Sequence, residues 1–150
     1  MKVLIVLLVC VPTALIAQLE NVRRKHFNIK NDIALQGYDP VSYFAGKPVE
    51  GDETFKFTHK GVTYLFSGLT TLNKFKANPE KYEPAYGGWC AYAMGENGEK
   101  VKIDPETFKI IDGTLYLFYN FWGNNTLEDW NSNEKKLKQA ADKNWSAMFN

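Results

Sequence analysis

Thr107-Phe108-Lys109-Ile110-Ile111-Asp112-Gly113-Thr114-Leu115-Tyr116-Leu117-Phe118-Tyr119 is the stretch that decides the fold class. Two runs of β-branched and aromatic residues flank Asp-Gly, a preferred pair for a two-residue hairpin turn because both positions tolerate positive φ. An antiparallel hairpin follows. Upstream, Phe55, Phe57 and His59 alternate with Lys56 and Thr58, and beyond Lys60-Gly61 the residues Val62, Tyr64 and Phe66 alternate with Thr63 and Leu65. Period-two patterning on both sides of a short glycine turn predicts a second hairpin.

Between and around the hairpins the signals are helical. Ser67 stands as an N-cap candidate before Leu69, Leu72 and Phe75, whose three-residue spacing suits one helix face. Asn78-Pro79 predicts its end, with one extra turn over Glu80-Lys81-Tyr82. Asp39-Pro40 suits an N-cap and first helical position, predicting a short helix over Pro40 to Phe44 that ends near Gly46. Tyr86-Gly87-Gly88-Trp89-Cys90-Ala91-Tyr92-Ala93-Met94-Gly95 is the densest apolar stretch, and its small residues imply tight packing. Beyond Asn124, Leu127, Trp130, Leu137, Ala141, Trp145 and Met148 recur among polar residues, an amphipathic helical tail with a break near Asn131-Ser132-Asn133. The expected fold class is α+β: a single small domain in which antiparallel hairpins pack with short helices and a C-terminal helix. No internal repeat is legible.

The chain starts with Lys2, an apolar run from Val3 to Val11, Pro12, and then Ala14-Leu15-Ile16-Ala17. That order reads as a signal peptide over residues 1–17, with cleavage after Ala17. A lipoprotein reading would place a lipid on Cys10, but Leu8-Val9 before it lacks the expected small residues. The apolar run is short of the roughly 20 residues a span needs, so no stable membrane anchor is expected after removal, and the localisation reads as periplasmic or secreted. Of 18 Lys and Arg against 17 Asp and Glu, only Lys2 lies in that segment. Its loss leaves the signs balanced and gives no electrostatic case for nucleic acid. Residues 18–31 read as a polar, partly ordered lead-in, and residues 32–150 as the domain.

The series Ala34-Leu35-Gln36-Gly37-Tyr38-Asp39-Pro40-Val41-Ser42-Tyr43-Phe44, Gly61-Val62-Thr63-Tyr64-Leu65-Phe66-Ser67, Asn78-Pro79-Glu80-Lys81-Tyr82 and Tyr86-Gly87-Gly88-Trp89-Cys90-Ala91-Tyr92-Ala93 resembles the YHS-domain family, and more narrowly its small exported branch. The resemblance runs from about Asp32 to Trp145 and implies a relative of small treble-clef-like metal-binding modules, many of them associated with copper or other heavy-metal transport. Metal-binding members carry cysteine after the Asp-Pro-Val step and after the Tyr-x-Phe strand. Ser42, Ser67 and Gly68 stand there in this chain.

Once residues 1–17 are removed, Cys90 is the one cysteine left, so an internal disulfide is excluded. Thiolate and thioether sulfur favour Cu(I), which makes Cys90, His59 and Met94 the candidate metal ligands and a copper ion the candidate cofactor. A buried, apolar Cys90 is the plain alternative. Tyr38 and Trp89 are candidates for an aromatic pocket holding a small ligand or a protein partner. A thiol-dependent enzyme is the third reading, and it lacks support: His26 and His59 are the only histidines, and no nucleophile elbow, zinc-protease motif or phosphate loop occurs. Asp39, Asp104 and Asp112 read as capping and turn residues. Asn124-Asn125-Thr126 and Asn144-Trp145-Ser146 fit the N-glycosylation pattern.

Overall fold

Both hairpins form, and each closes on a pair of left-handed residues: φ is 46° and 79° at Lys60 and Gly61, and 50° and 77° at Asp112 and Gly113. The computed structural model describes residues 13–149, so Cys10 and most of the expected signal segment lie outside the described residues. Helix α1 (Thr13–His26) leads into the short strands β1 (Ile29–Lys30) and β2 (Ile33–Ala34). Strands β3 (Asp52–His59) and β4 (Val62–Phe66) make the first hairpin, followed by α2 (Leu69–Ala77) and α3 (Pro79–Tyr82). Helix α4 (Ala91–Glu96) precedes the second hairpin, β5 (Asp104–Ile111) and β6 (Thr114–Phe118). A small hairpin of β7 (Asn120–Phe121) and β8 (Asn124–Asn125) is followed by α5 (Thr126–Ser132) and α6 (Glu134–Ala147). The first sheet runs β1-β2-β4-β3, with β2 parallel to β4. The fold class is α+β, as the patterning indicates.

The chain path repeats, against the expectation that it would not. Leu35, Gln36 and Gly37 are left-handed in succession (φ 55°, 54°, 90°), and so are Tyr86, Gly87 and Gly88 (53°, 59°, 83°). Each turn closes alike, with the Tyr38 amide donating to the Leu35 carbonyl at 3.1 Å and the Trp89 amide to the Tyr86 carbonyl at 3.2 Å. The next residues are Asp39 and Cys90, whose amides donate to the carbonyls of Val49 (2.9 Å) and Val101 (3.0 Å). The hairpins then match pair for pair, bulge included: Asp52↔Phe66, Lys56↔Leu65 and Thr58↔Thr63 answer to Asp104↔Phe118, Phe108↔Leu117 and Ile110↔Leu115. The parallel partners of the two hairpins correspond as well, Ile33↔Thr63 with Pro84↔Leu115. Finally, Thr71-Leu72-x-x-Phe75-x-x-Asn78 is echoed by Thr126-Leu127-x-x-Trp130-x-x-Asn133, and both asparagine amides donate to the aromatic's carbonyl at 3.1 Å. Side-chain chemistry differs between the halves while the backbone path is the same.

Of two hydrocarbon clusters, one joins the halves and the other lies within the second. One gathers Val62, Tyr64, Phe66 and Phe75 with Cys90, Leu115 and Leu117. The other gathers Met94, Phe118, Trp130 and Ala141. Gly87 is required by a close approach, since a Cβ there would sit 2.8 Å from the Trp145 ring and 3.0 Å from the Phe27 Cα. Gly95 is required by another, because its Cβ would lie 2.6 Å from the Leu137 carbonyl oxygen on α6. The expected partly ordered lead-in is a helix through His26 and is tied to the domain. Arg23 pairs with Glu83, Arg24 pairs with Asp32 and donates to the Gly61 carbonyl, and Phe27 is buried.

Two cap expectations need correction or refinement. Ser67 does not cap α2, because Gly68 occupies the cap and the Ser67 hydroxyl donates to Asp39 instead. The expected helix over Pro40 to Phe44 is a tighter 3₁₀ turn over Ser42–Ala45, closed as expected by a left-handed Gly46.

Candidate functional site

Cys90 opens α4, and its sulfur is fully buried. The Tyr119 amide donates to Sγ at 3.4 Å, and the Thr126 hydroxyl also lies 3.4 Å away. Those are the contacts of a hydrogen-bonded clasp. The Met94 amide donates to the Cys90 carbonyl at 3.0 Å, so the two share a helical turn. Yet the Met94 side chain belongs to the cluster around Trp130, whereas Cys90 belongs to the cluster around Phe75. His59 sits at the turn end of β3, with its ring against Phe75 and Nε2 3.5 Å from a Glu80 carboxylate oxygen. The polar contacts of His59 and Cys90 share no residue. Among the described residues no group of three or more His, Cys, Asp or Glu side chains gathers around one point.

In the first half, Asp39 occupies the place that Cys90 takes in the second. It is fully buried, and its Oδ2 accepts from the Ser67 amide (2.8 Å) and hydroxyl (2.7 Å) while Oδ1 accepts from the Val41 amide (2.9 Å). Ser42 joins the same knot, donating to the Asp39 carbonyl at 2.7 Å and accepting from the Val49 amide at 2.9 Å. Each half therefore pins the strand leaving its hairpin to one buried acceptor, a carboxylate in one case and a sulfur in the other. The turn readings of Asp104 and Asp112 hold, Asp104 accepting from the Glu106 amide and the Thr107 hydroxyl and Asp112 forming the hairpin turn, whereas Asp39 is no N-cap, that place falling to Val41.

Tyr38 and Trp89 are counterparts in the repeat, one following each left-handed turn, and no contact joins them. The indole of Trp89 donates to the His26 carbonyl at 2.7 Å. Tyr38 faces carboxylates, and partial burial followed by Glu106, Glu50 and Asp104 pushes its phenol above the ordinary value. His26, beside Lys100 and Lys25, is pushed down, first by desolvation and then by those two cations. Neither Tyr38 nor Trp89 lines the open groove of about 780 Å³ that Ile33, Gly37, Lys56, Phe57, Thr63 and Leu65 form beside the first sheet. That groove is wide and mixed in charge, without converging polar groups.

A different element stands out. The β7–β8 hairpin turns at Trp122-Gly123, with φ 53° at Trp122 and 78° at Gly123. Trp122 is 87% exposed, the largest value among the exposed large apolar residues. Its ring lies against Phe121 (centroids 5.9 Å) and Tyr119 (6.5 Å), which in turn meet edge to face at 5.0 Å. The Lys102 ammonium lies 4.7 Å from the Phe121 centroid and 5.0 Å from that of Trp122. Sequence reasoning missed this group because a tryptophan breaks the Asn-Gly or Asp-Gly rule for such turns. The one signal available was the run Tyr119-Asn120-Phe121-Trp122-Gly123-Asn124-Asn125, with three aromatics ahead of a glycine. Of the two glycosylation-pattern asparagines, Asn124 is exposed on this hairpin and Asn144 donates to the Met94 carbonyl at 2.8 Å.

No family model, curated protein or solved structure matches the chain.

Proposed function

We propose that this chain is an exported, non-catalytic binding module of the YHS type whose contact element is the β7–β8 hairpin. One observation carries the reading: an 87% exposed tryptophan held at φ 53°, in a hairpin that the first half does without. Left-handed backbone costs a non-glycine residue about 1–2 kcal/mol. An indole left in water gives little in return. In the first half the chain passes from Ser67 to Thr71 through Gly68, Leu69 and Thr70 alone, and the same clasp and helix follow. The second half inserts the hairpin between the equivalent residues, Tyr119 and Thr126, which still bond to each other, the Thr126 hydroxyl to the Tyr119 carbonyl at 2.9 Å. An addition that costs stability and leaves its surroundings intact is characteristic of a residue kept for contact with something else.

The metal reading fares less well on geometry. Where metal-binding relatives of the YHS type carry cysteine, Ser42 and Ser67 both bond to Asp39, and Cys90 is clasped between an amide and a hydroxyl. Copper binding through Cys90, His59 and Met94 would require those three to leave separate environments.

The test is Trp122→Asn. Relief of the left-handed strain offsets the loss of exposed ring contacts, so the melting temperature is expected to hold or rise. A fall of more than about 4 °C, on the order of 1 kcal/mol for a domain of this size, would make Trp122 a structural residue and refute the reading. In parallel, Cu(I) titration against a competing chelator is expected to give the same affinity for the wild type and Cys90→Ser.

A further inference from the structure

We infer that the Tyr119-Phe121-Trp122 cluster is a binding site for an organic ammonium group, with Lys102 as its built-in occupant. This rests on the reading of the hairpin as the contact element and names what it contacts. Other cations in the chain cover one ring each, Arg23 over Phe27, Lys76 over Phe57 and Lys81 over Tyr82. Lys102 faces two rings at once, at 4.7 and 5.0 Å from their centroids, within the roughly 6 Å over which a ring's negative face attracts a cation.

Among the described residues no carboxylate pairs with Lys102, so no ion pair holds its ammonium against the rings. A strongly hydrated primary ammonium with three donors gains little from two ring faces and can leave at small cost. A quaternary ammonium is the better match, because its charge is spread over methyl groups that lose little hydration and gain apolar contact with the rings.

The three aromatic residues are held in place by the backbone. Phe121 is paired across β7–β8 with Asn124, Tyr119 is pinned by its amide to Cys90 Sγ, and Trp122 is fixed in backbone by the turn. The rings meet at interplanar angles of 69°, 47° and 54°, so they present faces in different directions instead of stacking into a closed block. Such a platform is preorganised and open to solvent on the Trp122 side. A choline group, free or as the headgroup of a lipid, carries the chemistry it fits.

The experiment follows the Trp122 indole N–H resonance in the full folded protein, assigned by its disappearance in Trp122→Phe. Choline is the first probe, and the neutral isostere 3,3-dimethylbutan-1-ol is the control. A saturable shift with choline, absent with the isostere and lost in Phe121→Ala, supports the inference. Lys102→Met removes the resident cation and is expected to tighten choline binding about two- to fivefold, the worth of an exposed cation–π contact. Unchanged or weaker binding in that variant overturns the role given to Lys102. Phosphatidylcholine vesicles form the second arm: binding more than tenfold tighter than choline names the lipid headgroup as the source, no gain names free choline, and a trimethyllysine peptide binding tighter than both overturns a choline source. An indole unmoved by all three probes, or moved equally by the neutral isostere, overturns the ammonium site. If Trp122→Asn still leaves the melting temperature undiminished, the contact element itself survives that result.

Discussion

Replacing Asp39 with alanine tests the buried clasp in the first half. The wild-type carboxylate satisfies the Val41 amide, the Ser67 amide and the Ser67 hydroxyl, all between 2.7 and 2.9 Å. A hydrogen bond to a charged group is worth about 1.5–3 kcal/mol, and a buried donor left unpaired costs about 1–3 kcal/mol. The three bonds end on one side chain and are not additive. Ser67 is exposed, so its hydroxyl recovers water, whereas Val41 is buried and its amide does not. The expected loss for Asp39→Ala is then about 3–5 kcal/mol, a large part of the roughly 5–15 kcal/mol that holds such a domain folded.

Asp39→Asn keeps one acceptor oxygen but turns an NH₂ group toward one of the two amides whichever way it is flipped, for an expected loss of about 2–3 kcal/mol. The counterpart Cys90→Ala gives up longer, weaker sulfur contacts and leaves a small cavity, for about 2 kcal/mol. Urea denaturation followed by tryptophan fluorescence reads all three, since Trp130 is fully buried. A loss below about 1 kcal/mol for Asp39→Ala, or one smaller than that of Cys90→Ala, would refute the idea that equivalent acceptors pin the two hairpins.

Gly95→Ala sets two effects against each other: alanine gains about 1 kcal/mol of helix propensity, but its Cβ would stand 2.6 Å from the Leu137 carbonyl oxygen. Backbone cannot move aside as a side chain can, so a net loss of about 1–3 kcal/mol is expected, and equal or greater stability in a melting experiment would show that α4 and α6 are not in close contact. Burial raises the phenols of Tyr43, Tyr64 and Tyr86 above their ordinary value, while they donate to the Pro105 carbonyl, Glu83 and Asp142 respectively. A raised folded-state value means stability that is complete below the unfolded value near 10 and is lost as the pH climbs past it. Alkaline titration followed at 295 nm should therefore show these phenols ionising together with unfolding; smooth ionisation near pH 10 with the fold retained would contradict their burial.

Legibility in the sequence followed how local each cause is. Asp112-Gly113 and Lys60-Gly61 were readable because turn chemistry needs only two residues, and Asn78-Pro79 ended α2 as expected because proline acts on its immediate neighbour. Ser67 was misjudged because its hydroxyl partner, Asp39, lies far upstream, and nothing next to Ser67 announces that bond. The repeat escaped notice because Asp39 and Cys90 share a place and a task while having no chemistry in common. Donor type joins His59 to Cys90, and donor type with a four-residue spacing joins Met94, but neither says which cluster a side chain will enter. Trp122 was missed for the opposite reason, since it violates the local rule that made the other hairpins legible.

The two repeats keep separate clasps but share their hydrocarbon. Val62 and Phe75 from the first pack in one cluster with Leu115 and Leu117 from the second. Divided between Glu83 and Pro84, the first portion would turn toward water the surface that Cys90, Ile103, Leu115 and Leu117 cover, and the second would keep only the cluster around Trp130. The pair must melt as one, and the junction between them is no place to cut.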